Sequence, residues 1–313
     1  MQKVYSLIKK VYVFLRAIVK KLKLNISWFF FIHFSKRPII YTKEDTIKRI
    51  VDGRLSISRF GDGEFRLMMK TGEIGFQKEN DLLANKLIKA FTLHNRNLLV
   101  CTYDFWEKIP MKTKQGEWVK WAITKYHKKI KVFYDYSYHY GNSLISRFYH
   151  PYLYKYCDFD YLEKKYIPLL EKIWSSRNLL IVEGEETRLG CGNDLFNNSN
   201  TIRRIICPSK NAFDCYDRIY ESICFHHNKD DLVLLALGPT ATVLAAELTI
   251  NENYQVIDIG HIDVVYCWFL DRSETRKTIK GKYVNEADKN VGEIDLPFDE
   301  KTYEDEIVQI IKP

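Results

Sequence analysis

Apolar residues open the chain on a helical period: Val4, Leu7, Ile8, Val11, Leu15, Ile18 and Leu22 fall on one side of a helix drawn through residues 3–24. Lys3, Lys9, Lys10, Arg16, Lys20, Lys21 and Lys23 occupy positions between them, which predicts a basic amphipathic helix. An aromatic cluster follows, Trp28, Phe29, Phe30, Phe31 and Phe34. From about residue 42 the pattern changes to short apolar runs alternating with helix-period segments. Strands are predicted at 55–60, 97–103, 131–134, 179–183, 204–207, 232–237 and 255–259, and helices near 79–93, 117–128, 161–174, 212–224 and 240–249. That alternation is the mark of an α/β domain with a mostly parallel sheet flanked by helices. No internal repeat interrupts it.

Length and charge sharpen the picture. With 313 residues, 46% of them hydrophobic, the chain can bury a large core, which excludes a disordered or fibrous protein. Lys and Arg number 48 against 40 Asp and Glu, yet residues 1–40 hold nine of the basic residues and none of the acidic ones. The remainder is balanced, which argues against a nucleic-acid partner and assigns the excess charge to one arm. A basic helix followed by aromatics reads as an interfacial anchor on an anionic membrane, where each Lys or Arg is worth about 1 kcal/mol. Docking of the same helix on its own domain or on a partner is the other reading. The apolar stretch 27–34 is far shorter than the ~20 residues of a spanning helix. Lys and Arg recur through the first 23 residues, unlike a signal peptide. Cys101, Cys157, Cys191, Cys207, Cys215, Cys224 and Cys267 form no C-x-x-C pair, so neither a zinc module nor a disulfide framework is expected, and a reducing compartment is. The expectation is a cytoplasmic protein, peripheral on the inner face of the cell membrane, with an arm over 1–40, a body over 41–290 and a tail over 291–313. Residues 103–156 are unusually aromatic, with nine of the 21 tyrosines between Tyr126 and Tyr156, as in an inserted subregion.

Four segments carry candidate chemistry. In SRFGDGEF, residues 58–65, Asp62 and Glu64 stand between and after glycines at the end of a predicted strand, where carboxylate oxygens suit a hard divalent cation; an Asp-Gly hairpin turn is the alternative. VEGEETRLGCGNDLF, residues 182–196, gathers Glu183, Glu185, Arg188, Asn193 and Asp194 on a post-strand loop, a pattern of ligand contact or of a solvated acidic loop. Its Gly190 and Gly192 lack the third glycine of a dinucleotide fingerprint, and the chain has no P-loop. In LVLLALGPTAT, residues 232–242, Gly238, Pro239 and Thr240 turn a strand into a helix whose N-terminus can receive a diphosphate. DIGHID, residues 258–263, places His261 two residues before Asp263, an acid/base pair or a structural hydrogen bond. Arg59 in the first motif and Arg147 in YGNSLISRFYH are candidate phosphate partners.

Together with CPSKNAF and GKYVNE, these motifs resemble, in order over about residues 42–290, a bacterial glycosyltransferase family long known only as a domain of unknown function, whose fold is called GT-D. The resemblance implies a Rossmann-like nucleotide-binding architecture and hexose transfer from a UDP-sugar onto a growing glycan in surface polysaccharide or glycoprotein assembly. It maps the family's Asp-x-Glu motif, associated with metal (Mn²⁺ or Mg²⁺) and sugar nucleotide, onto Asp62 and Glu64. Asp263 assisted by His261 is then the candidate base, and Arg59, Arg147, Glu183, Glu185, Arg188, Asn193, Asp194, Gly238, Pro239 and Thr240 are the candidate donor contacts. One departure stands out: where the family continues past His-x-Asp with acidic residues, this chain has Val265 and Cys267. The alternatives are a catalytically silent sugar-nucleotide or glycan scaffold, and a metal-dependent phosphoesterase using the same carboxylates.

Overall fold

The structure, a computed structural model, describes residues 2–107, 110 and 113–313. It divides into two compact units, one of Met1–Arg37 with Phe105–Val132 and one of Pro38–Asp104 with Phe133–Pro313.

The smaller unit is helical. The amphipathic pattern forms one helix, Gln2–Phe34, of 33 residues and about 50 Å. A second helix starts at Lys114, where the Thr113 hydroxyl accepts from Gly116 N at 3.1 Å, and runs to Ala122 before a π-helical turn, Ile123–His127. The two meet over the C-terminal half of the long helix. Phe31 packs on Phe105 and Trp106 with ring centroids 6.4 and 4.3 Å away, and Lys120 Nζ donates to Asn25 Oδ1 at 2.8 Å. The aromatic segment around residue 105 therefore belongs with the N-terminal helix, a pairing that local periodicity does not reveal.

The larger unit is built on a sheet of nine strands: β1 (Ile39–Ile40), β2 (Ser56–Phe60), β3 (Leu98–Thr102), β4 (His139–Asn142), β5 (Asn178–Gly184), β6 (Thr201–Cys207), β7 (Leu232–Ala236), β8 (Gln255–Asp258) and β11 (Ile307–Ile310). β9 (Thr278–Ile279) and β10 (Glu293–Ile294) form a separate parallel pair. The order is β1-β4-β3-β2-β8-β7-β5-β6-β11, with every pairing parallel, as the α/β pattern predicts. Leu179–Val182 and Leu232–Leu235 are wholly buried, so these strands read as unbroken apolar runs. The helix Pro239–Asn251 is buried nearly all round, which its Ala and Thr side chains permit by letting neighbours approach closely.

One predicted strand is misplaced. Residues 131–134 are not a strand; Val132 is 72% exposed, and the sheet instead takes β4, whose His-Tyr-Gly-Asn sequence carries no apolar run. Gly141 is required there, because a Cβ would lie 2.4 Å from Cys101 Sγ on β3. The Asp-Gly hairpin is also excluded: Gly61 caps a helix, Asp62–Met68. The helix Ile262–Leu270, apolar but for Asp263, went unpredicted; the tail, expected to be polar and irregular before a final short element, ends in that element as β11 at the sheet edge.

The connections diverge between β2 and β8 and again around β5, so crevices open at the carboxyl ends of these parallel strands, where open α/β sheets place their ligands.

Candidate functional site

A cleft of about 680 Å³ opens at those strand ends. Gly184 at the end of β5, Pro208 and Ser209 after β6, Leu237 and Gly238 after β7, and Gly260 and His261 after β8 shape its floor. Phe76 forms a wall, set on the Gly238 backbone so closely that a Cβ there would sit 2.4 Å from the ring; Gly238 also has φ +55°, so the turn needs glycine twice over. A smaller hollow of about 240 Å³, lined by Arg147, Val265, Trp268 and Glu286 among others, shares His261, Val264 and Asn285 with the cleft.

Beside these hollows lies a charged cluster. Arg147 forks onto Glu286, Nη1 donating to Oε2 at 3.0 Å and Nη2 to Oε1 at 2.5 Å. Arg276 Nη1 stands 3.1 Å from the same carboxylate, and His261 Nδ1 3.9 Å from it. Burial works to raise the Glu286 pKa, but the two guanidiniums hold it far below the usual carboxylate range. His261 moves the other way: burial and the Arg147 charge lower it to about 4, so its ring is neutral near pH 7. His150, which receives Arg276 Nη2 at 2.9 Å, is lowered to about 3 by burial and the Arg276 charge.

Asp62 and Glu64 occupy the first helical turn after β2 rather than the strand end, so their two-residue separation aims them at different helix faces. Asp62 faces solvent, its pKa raised by the surrounding protein against the pull of Arg147. Glu64 folds back to accept from Gly61 N at 2.8 Å through Oε2. Burial, then the neighbouring Asp258 charge, push it up to about 7. Among the described residues no group of three or more His, Cys, Asp or Glu is arranged to hold a metal ion.

Several predicted site residues serve the scaffold. Asp263 is buried, with Oδ1 accepting from Gly190 N (2.9 Å) and Asn193 Nδ2 (2.7 Å) and Oδ2 paired to buried Lys282 at 2.5 Å. A carboxylate so fully occupied fixes the post-β5 loop and offers a poor proton acceptor. Glu183, wholly buried, accepts from Leu189 N at 2.6 Å and Arg204 Nη1 at 2.7 Å, so its carboxylate is engaged within the protein. Glu185 is exposed and outside the cleft lining; Asp194 accepts from Tyr266 Oη at 2.8 Å. Arg188 lies over the Phe298 and Tyr303 rings at 4.6 and 5.8 Å, engaged with the C-terminal segment. Arg59 donates to Ser143 O at 3.0 Å and to Ser146 Oγ, beneath Gly260. Of the Gly238-Pro239-Thr240 turn only Gly238 lines the cleft; Thr240 Oγ1 is buried without a hydrogen-bond partner. Sequence reasoning about single motifs missed Phe76, Ser209, Arg276 and the roles of Lys282, Asn285 and Glu286, although the last three fall in GKYVNE.

The family model for the glycosyltransferase GT-D fold matches residues 57–287. The chain is 33% identical over 275 residues to glycosyltransferase GlyD of Streptococcus pneumoniae serotype 4 and 32% identical over 271 residues to a probable glycosyl transferase, Gly, of Streptococcus gordonii. Those alignments cover 85% of this chain in both cases but only 31% and 38% of the relatives, so the chain matches about a third of each. A solved structure of domain of unknown function 1792, described as having a distinct glycosyltransferase fold, superposes with TM-score 0.77 at 33% identity, over 88% of this chain and 96% of that one. A glycosyltransferase of the same domain type from Streptococcus sanguinis gives 0.75 at 28% identity, over 88% and 100%.

Proposed function

The chain belongs to the GT-D glycosyltransferase family, and on that premise we propose that it transfers a hexose from a nucleotide-sugar, a UDP-sugar, to a glycan acceptor in surface polysaccharide or glycoprotein assembly. The observation that carries this reading is the cleft at the ends of β5 to β8, with an aromatic wall at Phe76, a buried helix beginning at Gly238, and the Asp62 and Arg147 charges beside it. The start of a 13-residue helix favours the donor's diphosphate, and the Phe76 ring offers a face to the flat base.

Asp62, which faces solvent, would hold a Mg²⁺ or Mn²⁺ of the kind that takes its other ligands from substrate phosphates and water, while Glu64, on another face of the same turn and bound back to Gly61 N, would add negative charge nearby. The like-charge crowding of Glu64 by Asp258 and Asp62 is the strain a cation relieves. Bound there, the metal supplies Lewis-acid stabilisation of the leaving diphosphate. The Arg147 guanidinium adds charge on the same side. His261, neutral and lining both hollows, takes the acceptor hydroxyl's proton, and the arriving diphosphate raises its basicity by offsetting the arginine charge. Asp263 holds the loop facing it. The Gln2–Phe34 helix, with its exposed apolar side chains and all-basic charge, keeps the enzyme peripheral on an anionic membrane, the inner face of the cell membrane. No helix among the described residues is long and apolar enough to cross one.

Titrating the protein with UDP-sugars and Mn²⁺ while following free UDP tests the reading. Release or transfer supports it; binding without turnover marks a silent module, and release of inorganic phosphate marks a phosphoesterase.

A further inference from the structure

The smaller unit, Met1–Arg37 with Phe105–Val132, carries a charge that the sequence order conceals. Its two segments hold seventeen Lys and Arg against two Asp and Glu, a formal +15, which leaves 31 against 38, a formal −7, for the rest of the chain. Eight of the seventeen basic residues come from residues 105–132, far from the N-terminus in sequence. Four of the protein's six tryptophans, Trp28, Trp106, Trp118 and Trp121, are in the same unit.

From Tyr5 to Leu22 the large apolar side chains described are 48% to 74% exposed. The second helix buries Gly116, Val119 and Ala122 and turns outward Trp118 and Trp121, partly exposed, and the turns that follow it add Lys125, Lys129 and Val132, all exposed. Lys125 Nζ sits 4.8 Å from the Trp121 ring, and Lys120 Nζ 5.4 Å from the Trp28 ring. Tryptophan beside exposed lysine is the composition of a surface that meets headgroups: the ring takes the interface and the ammonium the anionic layer.

We propose that residues 105–132 form a second membrane contact, so that the smaller unit as a whole, and not the N-terminal helix alone, binds an anionic lipid surface. This rests on the membrane reading of the Gln2–Phe34 helix given above. The observations favour a bilayer over a nucleic acid, because a nucleic acid would neutralise the lysines yet leave ten large apolar side chains from Tyr5 to Leu22 in water. They favour it over a second copy of the chain, because two +15 units repel one another.

The full-length protein is mixed with vesicles containing phosphatidylglycerol, with and without brominated acyl chains. Partitioning is compared for the intact protein, for Lys9→Gln/Lys10→Gln/Arg16→Gln, and for Lys125→Gln/Lys129→Gln/Lys131→Gln. Each triple variant is expected to bind about tenfold or more weakly. Brominated chains should quench intact-protein emission, less so in Trp118→Phe/Trp121→Phe. Trp174 and Trp268, buried in the larger unit, provide the unquenched background. Wild-type partitioning by the second triple variant, with quenching unaffected by the tryptophan substitutions, overturns the proposal and leaves the N-terminal helix as the sole contact. Failure of the intact protein to bind the vesicles overturns the membrane reading as well. Binding to a single-stranded oligonucleotide as tight as to the vesicles, or vesicle-independent dimerisation through this unit, also overturns it.

Discussion

In the larger unit Arg147, Arg276, Arg204 and Lys282 each reach a carboxylate within 3.1 Å, and Lys282 and Asp263 are both nearly sealed from water. In the smaller unit an ion pair, Lys21 with Glu117 at 3.6 Å, is open to solvent, while Lys120 and Lys125 lie against tryptophan rings. The first arrangement fixes a site, since a desolvated charge cannot be left without its partner. The second leaves charge free to meet something outside the molecule. Net charge shows neither, because +15 and −7 combine into an unremarkable +8.

Removing one member of a buried pair should separate the units most sharply. Lys282→Met leaves the buried Asp263 carboxylate without its counter-charge, held only by the neutral donors of Gly190 and Asn193, and should lower the stability of the larger unit by about 3–5 kcal/mol, read by denaturant unfolding. Lys125→Met, an exposed lysine, should change it by less than about 0.5 kcal/mol. Equal costs at the two positions would dissolve the comparison.

Next come the carboxylates proposed for the metal. Asp62→Asn and Glu64→Gln keep shape and remove charge, so hexose transfer should fall by a factor of about 10² or more, about 2.7 kcal/mol of barrier. EDTA should abolish transfer and Mn²⁺ restore it, with vesicle binding by the smaller unit unchanged throughout. Full transfer by either variant, or in EDTA, would reduce this segment to a helix start.

A pH series reads the same site without substrate. Glu64 has an ordinary pKa of 4.5 and is raised to about 7 by burial and then by Asp258, so the folded state prefers it protonated. Its contribution is therefore fully present below about pH 4.5 and is lost as pH rises through about 7. Allowing for the water that reaches this partly exposed side chain, the loss should be about 2 kcal/mol. Glu64→Gln should flatten that part of the metal-free stability profile relative to the intact protein; identical slopes would place Glu64 in an ordinary solvated setting.

Much of this organisation was legible in the chain. Apolar runs such as Leu232–Leu235 and the helical period of residues 79–93 report burial directly, and the parallel sheet follows from their alternation. β4 was not legible because Gly141 contributes closeness rather than hydrophobicity, nor was the sheet position of β11, because its pairing with β6 spans about a hundred residues. At the site, the glycine turn at 238 was visible from its residues. The commitment of Glu183 to Arg204 and of Asp263 to Lys282 was not, since an acidic residue after a strand looks the same whether its partner is a ligand or a lysine nineteen positions on.

The smallest effect concerns salt. Exposed charges are screened over a Debye length of about 10 Å at 0.1 M and about 3 Å at 1 M, whereas pairs closed off from water keep most of their interaction. Raising salt from 0.1 to 1 M should weaken vesicle binding strongly, because its lysines face solvent. The larger unit, held by pairs such as Arg204 with Glu183, should lose no more than about 0.5 kcal/mol over the same range. Two probes in one sample follow this, vesicle sedimentation for the smaller unit and near-ultraviolet circular dichroism of the buried Trp174 and Trp268 for the larger. If the larger unit melts in step with release from vesicles, its ion pairs are as accessible to salt as those lysines, and the contrast drawn between fixed and available charge fails.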